Sequence, residues 1–318
     1  MVYQNTVAVP REELNDVVME SVTTDEQFIG LQLLPAKPMN LPTGHVPKIE
    51  IGKGNLMRAS RKKRSPGATF DRWQSAISDH SITLLQTSEE VLLPDEQTML
   101  YEDYFAFESV YAVEATNRLR RGHEIDVETA IFDPSALTAT NTLVAWTYAN
   151  IATMTPVTDI LNCIRRLKAV GEAPNTIAFP GPIYDLVRQS ADMKSFIAGS
   201  INPGAIVTTD TIQAAFAKQG IKQVLVGESY VNESDSTNSD VINAIWPNTY
   251  VFVGSCQPGE LKSGGVGRSF FWEKEGPLFN IQSYRDENRK SNVIRALKTT
   301  SADLTNTRCG QLITTQYS

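Results

Sequence analysis

Few residues in this chain have the types and spacing that chemistry requires. The three histidines, His45, His80 and His123, sit in different segments. The three cysteines, Cys163, Cys256 and Cys309, are far apart. Zinc needs four converging ligands, commonly announced by paired cysteines or an H-E-x-x-H helix, and the sequence offers neither. No G-x-S-x-G elbow presents a serine nucleophile, so a hydrolase would need a triad gathered from distant positions. Gly264, Gly265 and Gly267 follow Lys262 but precede the strand-like Ser269-Phe270-Phe271-Trp272, so they offer no helix start to hold a phosphate. They read as a surface loop. The acidic stretch with Glu233, Asp235 and Asp240 has oxygen ligands but lacks the twelve-residue spacing of a calcium loop. It reads as a solvated loop, and the acceptor-like Asn232-Glu233-Ser234 within it has no secretory signal to make it a glycosylation site. No catalytic, cofactor-binding or metal-binding residue is assigned, and the chain is expected not to be an enzyme.

The strongest chemical signal is charge. Arg58, Arg61, Lys62, Lys63 and Arg64 place five cations in seven positions. Residues 53–72 hold seven cations against Asp71, a net of +6, and residues 95–114 hold six acids and no cation, a net of -6. Such a basic run is a solvated tip, a DNA-facing patch, or a partner for acidic residues on a neighbouring subunit.

Composition limits what could position these charges. The chain has 318 residues, 41% of them apolar, enough for one large or two smaller cores. Three separated cysteines fit buried thiols in a reducing cytosol better than a disulfide framework. Neither a signal peptide nor a run of about 20 apolar residues is present, so no membrane role is expected. A net charge of -7 makes any nucleic-acid contact local. Residues 1–52, with four prolines between Pro35 and Pro47, read as an extended arm ordered by a neighbour. Residues 53–93 read as a β-hairpin with a basic end. Residues 94–121 read as a helix, with Pro94, Asp95 and Glu96 at its start, Arg118, Arg120 and Arg121 at its end and Gly122 as its stop. Tyr101, Tyr104, Phe105, Phe107 and Tyr111 recur at helical spacing and read as its buried face. A helix over Val157–Val170 precedes an alternation of strand and helix: Thr176–Phe179, Pro182–Ser190, Thr208–Gln219 and Gln223–Val226. The tail returns to strands at 244–246, 250–253, 270–272, 293–299 and 311–315.

This order of arm, basic hairpin, long helix, central α/β unit and returning strands resembles the major capsid protein of tailed bacteriophages of the Hong Kong 97 type. The resemblance rests on the order and spacing of Thr176-Ile177-Ala178-Phe179-Pro180-Gly181-Pro182-Ile183-Tyr184-Asp185-Leu186, Val224-Leu225-Val226-Gly227 and Tyr284-Arg285-Asp286-Glu287. It implies an α+β capsid fold with an N-terminal arm (1–52), an extended loop (53–93), a peripheral domain (94–159) with spine helix 94–121, an axial domain (160–285) and returning peripheral strands (286–318). It implies a virion shell protein, assembled in the host cytoplasm into pentamers and hexamers that enclose double-stranded DNA by non-specific contact. Only about fifty residues precede the basic hairpin, so a separate scaffolding protein and a portal are expected as partners. Given the resemblance, subunit contact becomes the favoured reading of the basic run. Arg58, Arg61, Lys62, Lys63 and Arg64 are expected to meet Glu102, Asp103 and Glu108 of an adjacent subunit.

Two other functions compete. An encapsulin-like nanocompartment shell would share the fold but tends to begin with a short helix, whereas this chain begins with a proline-bearing arm. A soluble α/β enzyme would need a site assembled from dispersed residues, which no local motif reveals.

Overall fold

The structure, a computed structural model, describes residues 9–11, 13–16, 28–49, 63–67, 69–70, 77–101, 107–200, 206–234, 239–257 and 264–317. The apolar run near the C-terminus becomes a thirteen-residue strand, β14 (Ser291–Asp303), the spine of a six-stranded sheet. One side of it pairs with β13 (Asn280–Asp286) and, further along, β12 (Arg268–Trp272). Its other side pairs with β5 (Leu85–Pro94), from Ser291↔Pro94 to Thr300↔Leu85. Two pieces of the N-terminal region complete the sheet: β1 (Val9–Pro10) beside β13, and β2 (Ala36–Met39) parallel to β12.

Pro94 remains in β5, and the helix begins one residue later as α2 (Asp95–Tyr101), followed by α3 (Phe107–Ile131). Asp95 and Glu96 occupy the first turn of α2, where the positive helix end favours acids. Gly122 does not stop α3, contrary to expectation. Glycine inside a helix costs only about 1 kcal/mol relative to alanine. The turns beyond it bury His123, Glu124, Val127 and Ile131, which outweighs that cost. At 25 residues α3 is about 37 Å long. Its buried stripe is Ala112, Ala115, Thr116, Leu119, Arg120, His123, Glu124, Val127 and Ile131, at the spacing of one helix face. Of the aromatics expected to form that face, Tyr111 is partly buried. The side chains of Tyr101, Tyr104, Phe105 and Phe107 lie outside the described residues.

A second sheet has the order β6-β15-β11-β7-β8, formed by β6 (Thr138–Asn141), β7 (Thr176–Pro180), β8 (Gln223–Gly227), β11 (Tyr250–Gly254) and β15 (Gly310–Thr314). Alternate residues point to opposite faces, and here both faces are covered. Ile177, Phe179, Val251, Val253 and Ile313 pack against α4 (Pro156–Ala169), α5 (Gly181–Gln189), α6 (Ala191–Ser200) and α7 (Thr209–Phe216). Ala178, Leu225, Phe252 and Leu312 face the other way, toward α1 (Gly30–Leu33) and the end of α3. Local signals account for the helix starts: Pro156 sits in the first turn of α4, and Thr208 and Thr211 form a capping box at α7.

Two ribbons stand apart from these sheets. The pair β3 (Thr43–Ile49) and β4 (Ile77–Thr83) is antiparallel from Thr43↔Thr83 to Ile49↔Ile77 and carries the basic segment between its strands. The pair β9 (Tyr230–Asn232) and β10 (Ile242–Ala244) carries the acidic polar loop.

Several expected boundaries shift. The hairpin begins at Thr43, inside the region read as arm, and β5 leaves it for the large sheet. β12 and β13, read with the central unit, belong to the six-stranded sheet, while the C-terminal β15 sits inside the five-stranded one. Strand pairing across a hundred residues decides these memberships, and local pattern carries no trace of it. The arm also needs no neighbour at residues 29–34: Ile29, Leu33 and Leu34 are buried in their own chain's core.

Candidate assembly surfaces

Glu124 lies where α3 crosses from one sheet to the other. Its Oε1 accepts hydrogen bonds from the Ile29 backbone N–H at 2.9 Å and from the Trp246 indole N–H at 2.8 Å. Its Oε2 accepts from the Gly30 N–H at 2.8 Å. A Cβ on Gly30 would stand 2.5 Å from Oε2, so glycine is what allows this approach. Burial raises the Glu124 pKa, and the Trp246 hydrogen bond, the two backbone N–H groups and Arg120 act against that rise. The carboxylate joins the N-terminal segment, the long helix and the region after β10 in one buried knot. The preceding residue, His123, is buried with its Nε2 3.1 Å from Ser269 Oγ. Burial, aided by nearby Lys298, pushes its pKa down to about 3.

The outer parts carry the charges. Arg285 grips Asp95 with two parallel bonds of 2.5 and 2.6 Å, tying the start of α2 to β13. That hydrogen bonding holds Asp95 below the ordinary carboxylate range. Arg11 reaches Glu108 at 3.2 Å, and Arg118 reaches Glu114 at 3.5 Å. Three of the six acids between 95 and 114 therefore already have a cation within the chain, while Glu96 has no ion-pair partner among the described residues. The ribbon β3–β4 is pinned at its base by Val46, Ile82 and Leu84 against Phe270, and His80 Nε2 lies 3.5 Å from Asp303.

Of the residues expected to meet across a subunit boundary, Lys63 and Arg64 are exposed near the ribbon tip and Glu108 lies at the start of α3. Arg58, Arg61, Lys62, Glu102 and Asp103 lie outside the described residues. Charge counting passed over the apolar residues beside these charges. Phe70 is 75% exposed with the Arg64 guanidinium 4.2 Å from its ring centroid, and Met99 and Leu100 on α2 are 80% and 63% exposed. The available signal was an aromatic, Phe70, six positions after the basic run ends at Arg64. A separate groove of about 950 Å³ runs between α3 and the β9–β10 ribbon, lined by Arg118, Arg121, Ile125, Tyr230 and Ile242.

Among the described residues no three histidine, cysteine or acidic side chains converge as a metal site. No helix among them is long and apolar enough to cross a membrane. Cys163, Cys256 and Cys309 are buried free thiols, and burial pushes each up to about 12.

No protein-family model matches the sequence, and no curated protein matches it. Solved structures do match the fold. A phage-related protein from Bordetella bronchiseptica RB50 aligns with a TM-score of 0.72 at 17% identity, covering 98% of each chain. The capsid of cyanophage P-SCSP1u aligns with a TM-score of 0.57 at 13% identity, over 100% of this chain and 91% of that one. A virus-like particle from Pyrococcus furiosus aligns with a TM-score of 0.56 at 10% identity, over 95% of this chain and 98% of that one. The chain has the mixed α+β fold of phage capsid proteins.

Proposed function

We propose that this chain is a major capsid protein, a structural subunit of the icosahedral head of a tailed bacteriophage. The observation that carries this reading is the match of the whole chain, with its two sheets and long helix, to phage proteins. In Hong Kong 97 terms, the β3–β4 ribbon with its basic tip is the extended loop. The six-stranded sheet with α3 is the peripheral domain, and the five-stranded sheet with α4–α7 is the axial domain. The resemblance further implies pentamers and hexamers, assembly in the host cytoplasm, packaged double-stranded DNA held by non-specific contact, and a separate scaffolding protein and portal. The encapsulin-like alternative is not favoured, since the matching structures include a phage-related protein and several phage capsids. Negative-stain imaging of purified protein tests the class: shells or capsomers support it, and a small monomeric particle overturns it.

Within that assembly the basic tip docks on the acidic α2 region of an adjacent subunit. Complementary potentials guide register and suppress wrong pairings more than they add affinity, and each exposed pair contributes only about 0–1 kcal/mol. Replacing Arg61, Lys62, Lys63 and Arg64 by Glu is expected to block assembly while leaving the subunit folded. Charge reversal at Glu102, Asp103 and Glu108 should partly restore it. Normal empty shells from the Glu-substituted tip would assign the basic run to packaged DNA instead.

A further inference from the structure

We propose that Phe70 is the apolar anchor of the contact between subunits, seating against Met99 and Leu100 of a second copy of this chain. This rests on the reading that the basic tip meets the acidic helix region of a neighbour, and it names what supplies the grip. Charge alone leaves the contact weak, because Asp95, Glu108 and Glu114 are already paired within their own chain. Exposed ion pairs are screened and contribute little. Something apolar must add to them, and among the described residues of the loop Phe70 is a large apolar group set beside its cations. Phe70 is 75% exposed, and Arg64 lies against its ring, so ring and cation form one knob. A buried aromatic side chain at an interface covers on the order of 150–250 Å².

Among the described apolar groups of the acidic stretch 95–114, Met99 and Leu100 are the most exposed. Tyr230 and Ile242 sit in a groove of mixed charge, where Arg118 and Arg121 stand beside Glu114 and Asp240, so it offers the cationic tip no net attraction. Met99 and Leu100 lie on α2 beside exposed Glu96, in a stretch with six acids and no cation. A methionine is also a suitable receiver, since its flexible thioether fills irregular gaps and makes favourable contacts with aromatic rings. The pairing thus sets an aromatic knob carrying the Arg64 guanidinium against an apolar patch in the acidic stretch, on the same helix as exposed Glu96.

Mixed assembly of two full-length variants, Phe70→Cys and Met99→Cys, tests this. The native thiols Cys163, Cys256 and Cys309 are buried and do not compete for oxidation. Shells from the mixture, mildly oxidised, should give a covalent dimer on a non-reducing gel that contains both variant peptides, and shells of either variant alone should not. Independently, Phe70→Ser should raise the critical assembly concentration at least about tenfold, as loss of an interface anchor does, whereas Phe70→Leu should stay within about threefold of wild type. Shells that form without the mixed disulfide, or Phe70→Ser shells at the wild-type critical concentration, would overturn the anchor. Failure of the underlying charge reading shows separately, as normal assembly of the charge-reversed tip. If the cysteine variants stay folded but unassembled, the Ser and Leu pair decides alone.

Discussion

Replacing Glu124 by Ala should destabilise the isolated subunit severely, because the change strands three buried donors, the N–H groups of Ile29 and Gly30 and the indole N–H of Trp246. An unsatisfied buried donor costs about 1–3 kcal/mol. The low end applies to each, because alanine also removes a carboxylate whose burial is itself unfavourable, as its raised pKa records. The expected loss is about 3 kcal/mol, which for a chain above 150 residues is roughly 6–12 °C in Tm. Trp246→Phe strands no donor and leaves Oε1 with the Ile29 bond, so about 1 kcal/mol is expected, with any packing change added. The double variant should cost less than the sum of the singles, since the indole N–H that Glu124→Ala strands is then gone. Calorimetry of unassembled subunits measures all three. A Glu124→Ala Tm within about 2 °C of wild type, or strict additivity with Trp246→Phe, refutes the knot as a coupled unit. The pH dependence has a definite sign. With its folded pKa raised, Glu124 contributes most below the ordinary glutamate range and loses that contribution as pH climbs through the raised value, so the gap between wild type and Glu124→Ala narrows as pH rises.

Three further outcomes follow from buried or paired groups. His123 is held neutral with its pKa down at about 3, so wild-type stability should fall as pH drops below the ordinary histidine range toward that value. Urea midpoints of His123→Asn against pH should lack that segment. Asp95, held low by Arg285, contributes stability above the ordinary aspartate range that is lost as pH falls through its depressed value, and Asp95→Asn should flatten the acid limb of the Tm profile. The three buried thiols should resist Ellman's reagent in the folded subunit and all react after denaturation; fast labelling of any one in the native subunit contradicts its burial.

The primary structure by itself determined the elements whose cause is local. The period of Ile160, Ile164 and Leu167 marked α4, the short run Thr176–Phe179 marked a buried strand, and Asp95 and Glu96 marked a helix start. It also showed the charge contrast between the ribbon tip and the helix region, since net charge needs no coordinates. What it left open depends on partners remote in sequence. Gly122 looked like a helix stop because nothing local shows that Val127 and Ile131 beyond it are buried against the five-stranded sheet. Nothing local marks Glu124, and only the arrival of Gly30 and Trp246, from 94 positions before it and 122 after, makes it a buried acceptor. The strand Gly310–Thr314 was read with the returning peripheral strands, because Leu312 and Ile313 suit any doubly buried position. Pairing with β11 and β6 settles it. Six acids on one stretch promised a free negative surface, but Arg11, Arg118 and Arg285 reach three of them from other turns and strands. Periodicity and capping are written within a few residues of where they act. Burial, ion pairing and sheet membership are set by where distant segments come to rest, which only the folded chain decides.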